Sequence, residues 1–136
     1  MVYIIVELSF TIYLLMGFLS TLPSELEEAA LIDGCSPFGV FYRIMLPLSY
    51  PGIATAATFN FLFLWNEFLL ALVLIHTTEK NTISLGLYAL QGQMTYTADW
   101  AGLFSGVVII MLPTLLVYIF LSRRVIAGLT LGAVKG

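Results

Sequence analysis

Charge is what this chain has least of. Of its 136 residues only 10% are Asp, Glu, Lys or Arg, against about a quarter in ordinary soluble domains. Hydrophobic residues make up 60%, and the mean hydropathy is +1.02. That balance excludes an ordinary soluble domain: the solvent of most of this chain is lipid. Cys35 is the only cysteine, which excludes an intrachain disulfide and a cysteine-based metal cluster. No G-x-x-x-x-G-K-[ST] phosphate loop occurs, so the chain has no means of its own to hydrolyse ATP. His76 is the one histidine and lacks any partner at metal or catalytic spacing, so it reads as an interface residue. No catalytic residue, metal site or cofactor is expected, and no nucleic-acid partner. The isoelectric point near 4.8 carries little weight, because in membranes the position of basic residues matters more than net charge.

What is present in abundance is long apolar runs. A hydrocarbon core of about 30 Å needs about 20 helical residues, and three runs reach that length, at about 2–20, 52–76 and 100–122. The first lacks a basic leader and contains Glu7, so it reads as a span and not a cleaved signal. Backbone polar groups in lipid must be satisfied within the segment, which predicts an all-α membrane protein with three transmembrane helices, the third kinked at Pro113. Arg43 lies between the first two runs, Arg123, Arg124 and Lys135 follow the third, and Lys80 alone lies between the second and third. Basic residues are retained inside, so the first loop and the C-terminus are expected on the cytoplasmic side of a multi-pass cell-membrane protein. Residues 77–99, with a short helix around 82–87, then face outward, and Met1 begins on that side.

The first loop, residues 23–47, reads as a compact pair of short helices. Ser24 followed three residues later by Glu27 fits a capping box, and Glu25, Glu27 and Glu28 suit the positive end of a helix. Gly34 ends that helix. Ser36 and Pro37 open a second one as N-cap and first-turn proline, carrying Phe38, Phe41 and Tyr42. Neither half is long enough to fold alone in water, so the knob needs a partner surface. Small residues allow another backbone to approach, and aromatic ones supply buried area.

Glu28-Ala29-Ala30, three residues, Gly34, nine residues, Ile44, one residue and Leu46-Pro47 match the E-A-A-x3-G-x9-I-x-L-P signature. The chain thereby resembles the permease subunits of binding-protein-dependent ABC importers. Pro23-Ser24-Glu25-Leu26-Glu27, Trp65-Asn66-Glu67-Phe68, Gly128-Leu129-Thr130 and Gly132 to Gly136 are similar to the carbohydrate branch, on its shorter maltose-type permease. The resemblance runs over nearly the whole chain. It implies the C-terminal half of a six-helix permease fold that forms part of a sugar path. The implied partners are a cytoplasmic ATPase dimer, a second permease subunit, an extracytoplasmic sugar-binding protein and the bilayer. The loop would be the coupling helix, docking in the ATPase through Glu28, Ala29, Ala30, Asp33, Gly34, Phe38 and Arg43. Glu28 would pair with a basic residue there, while Ala29 and Gly34 allow close approach and the turn. The tail, 123–136, would reach the ATPase interface through Gly128, Thr130, Gly132 and Lys135.

In the middle run Asn60, Asn66 and Glu67 interrupt an apolar helix. A carboxyl at mid-membrane costs about 2.5 to 3.5 kcal/mol, so such groups face a bundle interior or an aqueous path. They either hydrogen-bond sugar hydroxyls, with Trp65 as a ring surface, or cross-link helices, and the structural role is favoured. Gly102 and Gly106 form a G-x-x-x-G step suited to close helix packing. Two alternatives stay open: an ABC importer permease for a solute other than sugar, and a fragment of a secondary transporter or channel using Asn60 and Glu67 for ion coupling.

Overall fold

The computed structural model describes the backbone of residues 1–133, with side chains described outside 95–97 and 121–133. Helices α1 (Val2–Leu19), α2 (Glu25–Ile32), α3 (Pro37–Val40), α4 (Leu46–Leu48) and α5 (Tyr50–Asn66) follow in order. They are followed by α6 (Leu69–Leu74), α7 (Ile83–Thr97) and α8 (Trp100–Ala133), and no strand occurs among the described residues. The all-α expectation holds. Three continuous spans do not appear. Among the described residues, α1 and the Trp100–Phe120 part of α8 are long and apolar enough to cross a membrane. The expected middle span is divided into the 17-residue α5 and the 6-residue α6, with Glu67 and Phe68 between them. At 1.5 Å per residue α5 alone rises about 26 Å, just short of a hydrocarbon core.

Two compact units are present, Phe61–Phe120 and a second made of Met1–Asn60 with the segment from Leu121 onward. In the unit that holds the N-terminus, α1 packs on α5 through small residues. Gly52, Thr55, Ala56 and Thr58 form the buried side of α5. The Phe18 ring lies so close to Gly52 that a Cβ there would fall 2.6 Å from its Cγ. Phe10 meets Phe59 edge-on at 5.8 Å, and the Asn60 amide donates to the Thr11 hydroxyl at 2.8 Å. Thr55 and Thr58 turn their hydroxyls back onto the carbonyls of Pro51 and Ala54, so polar side chains sit inside without orphaned donors.

In the other unit the Trp65 indole N–H donates to the Ile110 carbonyl of α8 at 2.9 Å. Phe61 stacks on Trp65 at 5.6 Å. Helix α7 is longer than the expected short outer helix. The Thr82 hydroxyl opens it by accepting from the Leu85 amide, and Ala98 closes it in the left-handed region at φ 47°. Asp99 then caps α8 by accepting from the Gly102 amide at 2.9 Å. Gly102 therefore serves this cap, since a Cβ on it would run into the Asp99 carboxyl, whereas Gly106 takes the expected packing role against Leu87 of α7. Helix α8 continues through Pro113.

Large apolar side chains on α1 and α8 stay uncovered, with Ile4 and Ile5 each 68% exposed and Phe120 70%. Surfaces of that extent are foreign to a water-soluble monomer and suit lipid or neighbouring helices.

Candidate functional site

The loop after α1 is built by its turns. Helix α2 ends in a Schellman arrangement: the Cys35 amide donates to the Ala30 carbonyl and the Gly34 amide to the Leu31 carbonyl. Gly34 sits at φ 82°, a conformation that an L side chain adopts only with strain. Ser36 accepts from the Gly39 amide at 3.2 Å and Pro37 takes the first helical position, as the sequence leads one to expect. The expected capping box at Ser24 is absent. Ser24 is already helical, at φ −65° and ψ −24°, so its hydroxyl makes no cap bond, and the turn is closed by backbone bonds to the Pro23 and Ser24 carbonyls.

After α3 the chain widens into a π-turn, Phe41–Met45, in which the Leu46 amide reaches the Phe41 carbonyl five residues back. Pro47 explains the widening. It lacks an N–H and its ring crowds the carbonyl four residues earlier, so an extra residue in the turn relieves the clash.

The pair of short helices has a thin interior and a broad exterior. Ala30 and Val40 are buried, at 5% and 6% exposure. Ala30 therefore faces inward, where its small side chain lets the two short helices close on each other. Glu28, Ala29, Asp33, Gly34, Phe38 and Arg43 are all exposed. Ile32 is 86% exposed and Phe38 79%. Ile32, which sequence reasoning passed over, is thus the most open large apolar side chain of this knob.

Asn60, Asn66 and Glu67 are put to different uses. Asn60 ties α5 to α1 through Thr11, and its side-chain oxygen is buried without a partner among the described residues. Asn66 is exposed and donates back to the Leu62 carbonyl. Glu67 is buried at 8% exposure, and its two carboxyl oxygens accept from the Leu70 and Ala71 amides. A helix start in an apolar setting leaves amides that water cannot reach, and this carboxyl satisfies two of them. On the other side of the break the Ser84 hydroxyl donates to the Trp65 carbonyl at 3.4 Å. Among the described residues no three His, Cys, Asp or Glu side chains gather as metal ligands. Gly128, Thr130 and Gly132 lie outside the described side chains, and Lys135 lies outside the described residues altogether.

Comparison with known proteins adds the decisive observation. The profile of the binding-protein-dependent transport system inner membrane component family matches residues 1–129. The chain belongs to that family. Among curated relatives of this inner membrane component, the diacetylchitobiose uptake system permease protein NgcG of Streptomyces coelicolor is 38% identical over 133 residues. That alignment covers 98% of this chain and 44% of the relative. The trehalose transport system permease protein SugB of Mycobacterium tuberculosis is 37% identical, over 98% of this chain and 49% of its own length. The arabinooligosaccharides transport system permease protein AraQ of Halalkalibacterium halodurans is 42% identical, over 85% of this chain and 40% of its own length. The chain thus spans about half the length of the curated relatives it matches. Family membership, with the two long apolar helices, establishes a membrane protein of the transport-permease type.

Proposed function

We propose that this chain is the C-terminal part of a permease subunit in an ATP-driven sugar importer, and that the loop from α2 to α4 couples it to the ATPase. The observation that carries the reading is the knob itself. Its shape is fixed by local backbone bonds while Ile32 and Phe38, with the acidic Glu28 and Asp33, are turned outward. An apolar surface rimmed by charge is what a docking interface presents.

In this reading α1, the broken α5–α6 segment and α8 are three of six membrane crossings, and the knob and the C-terminus lie in the cytoplasm. ATP hydrolysis belongs to a separate subunit dimer. A second permease completes the path, and a binding protein delivers sugar from outside. Closure of the ATPase pair moves the knob, and the helices attached to it alternate access. The sugar class is supported by the names of the three relatives, each a permease for a saccharide. Asn66 is the exposed member of the middle-run trio and the one open to a solute, whereas Asn60 and Glu67 hold helices.

Site-directed cross-linking tests the coupling. In the assembled transporter, cysteine at Ile32 (Ile32→Cys) is expected to form a disulfide with a cysteine in the ATPase docking cleft, and cysteine at the buried Ala30 is not. An assembled complex in which Ile32→Cys never cross-links, or is labelled by an impermeant reagent from the outer face of intact cells, sinks the coupling role.

A further inference from the structure

The α6–α7 connection borders a shallow, open groove that the coupling scheme does not use. It has a volume of about 280 Å³, close to the lower bound of roughly 300 Å³ for small-molecule pockets. The buried Leu85 with Leu72, Ile75 and Ala89 supplies its apolar lining, and His76, Thr77, Thr78, Asn81 and Tyr88 supply the polar and aromatic part. Tyr88 is 53% exposed, and Phe68 holds its ring edge-on at 5.3 Å. Among the described residues no hydrogen bond engages the side chains of His76, Thr77, Thr78 or Asn81, so their donors and acceptors are open to a ligand.

The chemistry of this lining is selective. An amide, an imidazole and hydroxyls each combine donor and acceptor capacity, which matches a ligand whose hydroxyls are donor and acceptor at once. An aromatic face suits the C–H surface of a sugar ring. Glu79 and Lys80 belong to the neighbouring turn but do not line the groove, so no carboxylate, ammonium or guanidinium group lines it. The volume admits about one ring.

We infer that the groove formed by His76, Asn81 and Tyr88 is a binding subsite for one neutral sugar ring. The inference rests on the sugar-import reading and adds to it a second place where this chain meets the solute. Because His76 is the only histidine of the chain, its modification by diethyl pyrocarbonate reports on the groove alone within this subunit.

The test uses the assembled transporter in nanodiscs, with D-glucose, trehalose and diacetylchitobiose as probes and glycerol as control. Modification at His76 is followed by peptide mass spectrometry. A probe present at about ten times its half-protecting concentration is expected to slow the reaction by about tenfold. Asn81→Ala and Tyr88→Ala are each expected to abolish that protection, and Tyr88→Phe, which keeps the ring, to retain most of it. Three results overturn the inference: no protection by any of the three sugars, protection that survives both alanine variants, or equal protection by glycerol. ATP-driven uptake of the same sugars is measured alongside. Uptake without protection removes the groove and leaves the importer reading standing, whereas absence of sugar uptake removes both.

Discussion

Replacing Glu67 by alanine is expected to unfasten α6 before it disturbs anything else. The two carboxyl oxygens of Glu67 accept from the amides of Leu70 and Ala71, the second at 3.1 Å, in a site where the glutamate is only 8% exposed. A buried donor left without an acceptor costs about 1 to 3 kcal/mol, so losing both acceptors costs about 2 to 6 kcal/mol. Taken at about 1.4 kcal/mol per factor of ten, local opening becomes more frequent by roughly 30-fold to 20,000-fold. Glu67→Gln keeps one acceptor oxygen, and its cost is about half as large. Hydrogen–deuterium exchange on the assembled complex, resolved to the peptide covering α6, reads this directly: the Leu70 and Ala71 amides exchange much faster in Glu67→Ala and moderately faster in Glu67→Gln. Exchange at those two amides that stays as slow as in the unaltered protein refutes the reasoning, because the carboxyl is then not what secures them.

Two further substitutions probe the other unit. Gly34→Ala places an L side chain at φ 82°, which costs about 1 to 2 kcal/mol, and it is expected to lower the thermal midpoint of the complex and to speed proteolytic nicking of the loop; an unchanged midpoint and nicking rate count against the left-handed turn. Gly52→Ala drives a Cβ to within 2.6 Å of the Phe18 Cγ, an overpacking cost of about 1 to 3 kcal/mol, and the double variant with Phe18→Leu is expected to recover part of it. Additive effects in that cycle argue against contact between the two positions.

The sequence was most legible where a residue acts on its own backbone. Gly34 as the stop of α2, and Ser36 with Pro37 as the start of α3, follow from the conformational freedom of glycine, the acceptor of serine and the missing N–H of proline. All three are local, and all three appear where expected. Ser24 shows the limit of the same logic. Its spacing to Glu27 fits a capping box, yet Ser24 itself already has helical backbone angles and its hydroxyl makes no cap bond. The division of the middle run was harder to see, since hydropathy does not distinguish a continuous helix from one interrupted for two residues. The available signal was Glu67 itself, because a carboxyl in an apolar run needs donors and the nearest unsatisfied donors are the amides of a new helix start. The π-turn carried a similar signal in Pro47, while the pairing of Asn60 with Thr11, 49 residues away, is a tertiary fact that no local pattern encodes. The groove was missed for the same reason, its lining being contributed by α6, the turn after it and α7.

The knob between α1 and α5 separates what fixes its shape from what it presents. Helices of eight and four residues are too short to persist on propensity alone, and their shared interior holds only side chains as small as Ala30 and Val40. Apolar burial therefore contributes little to holding it. The Schellman bonds at Gly34, the Ser36 hydroxyl cap and the π-turn ahead of Pro47 hold it instead, all of them local bonds made within the loop itself. The large apolar side chains, Ile32, Phe38 and Tyr42, are left free to be buried by another surface. Under the proposed docking, a partner then meets a surface already in its binding shape, and little of the association energy goes into ordering the loop. A knob stabilised the other way, by folding its aromatic residues inward, would have had to open before it could be held.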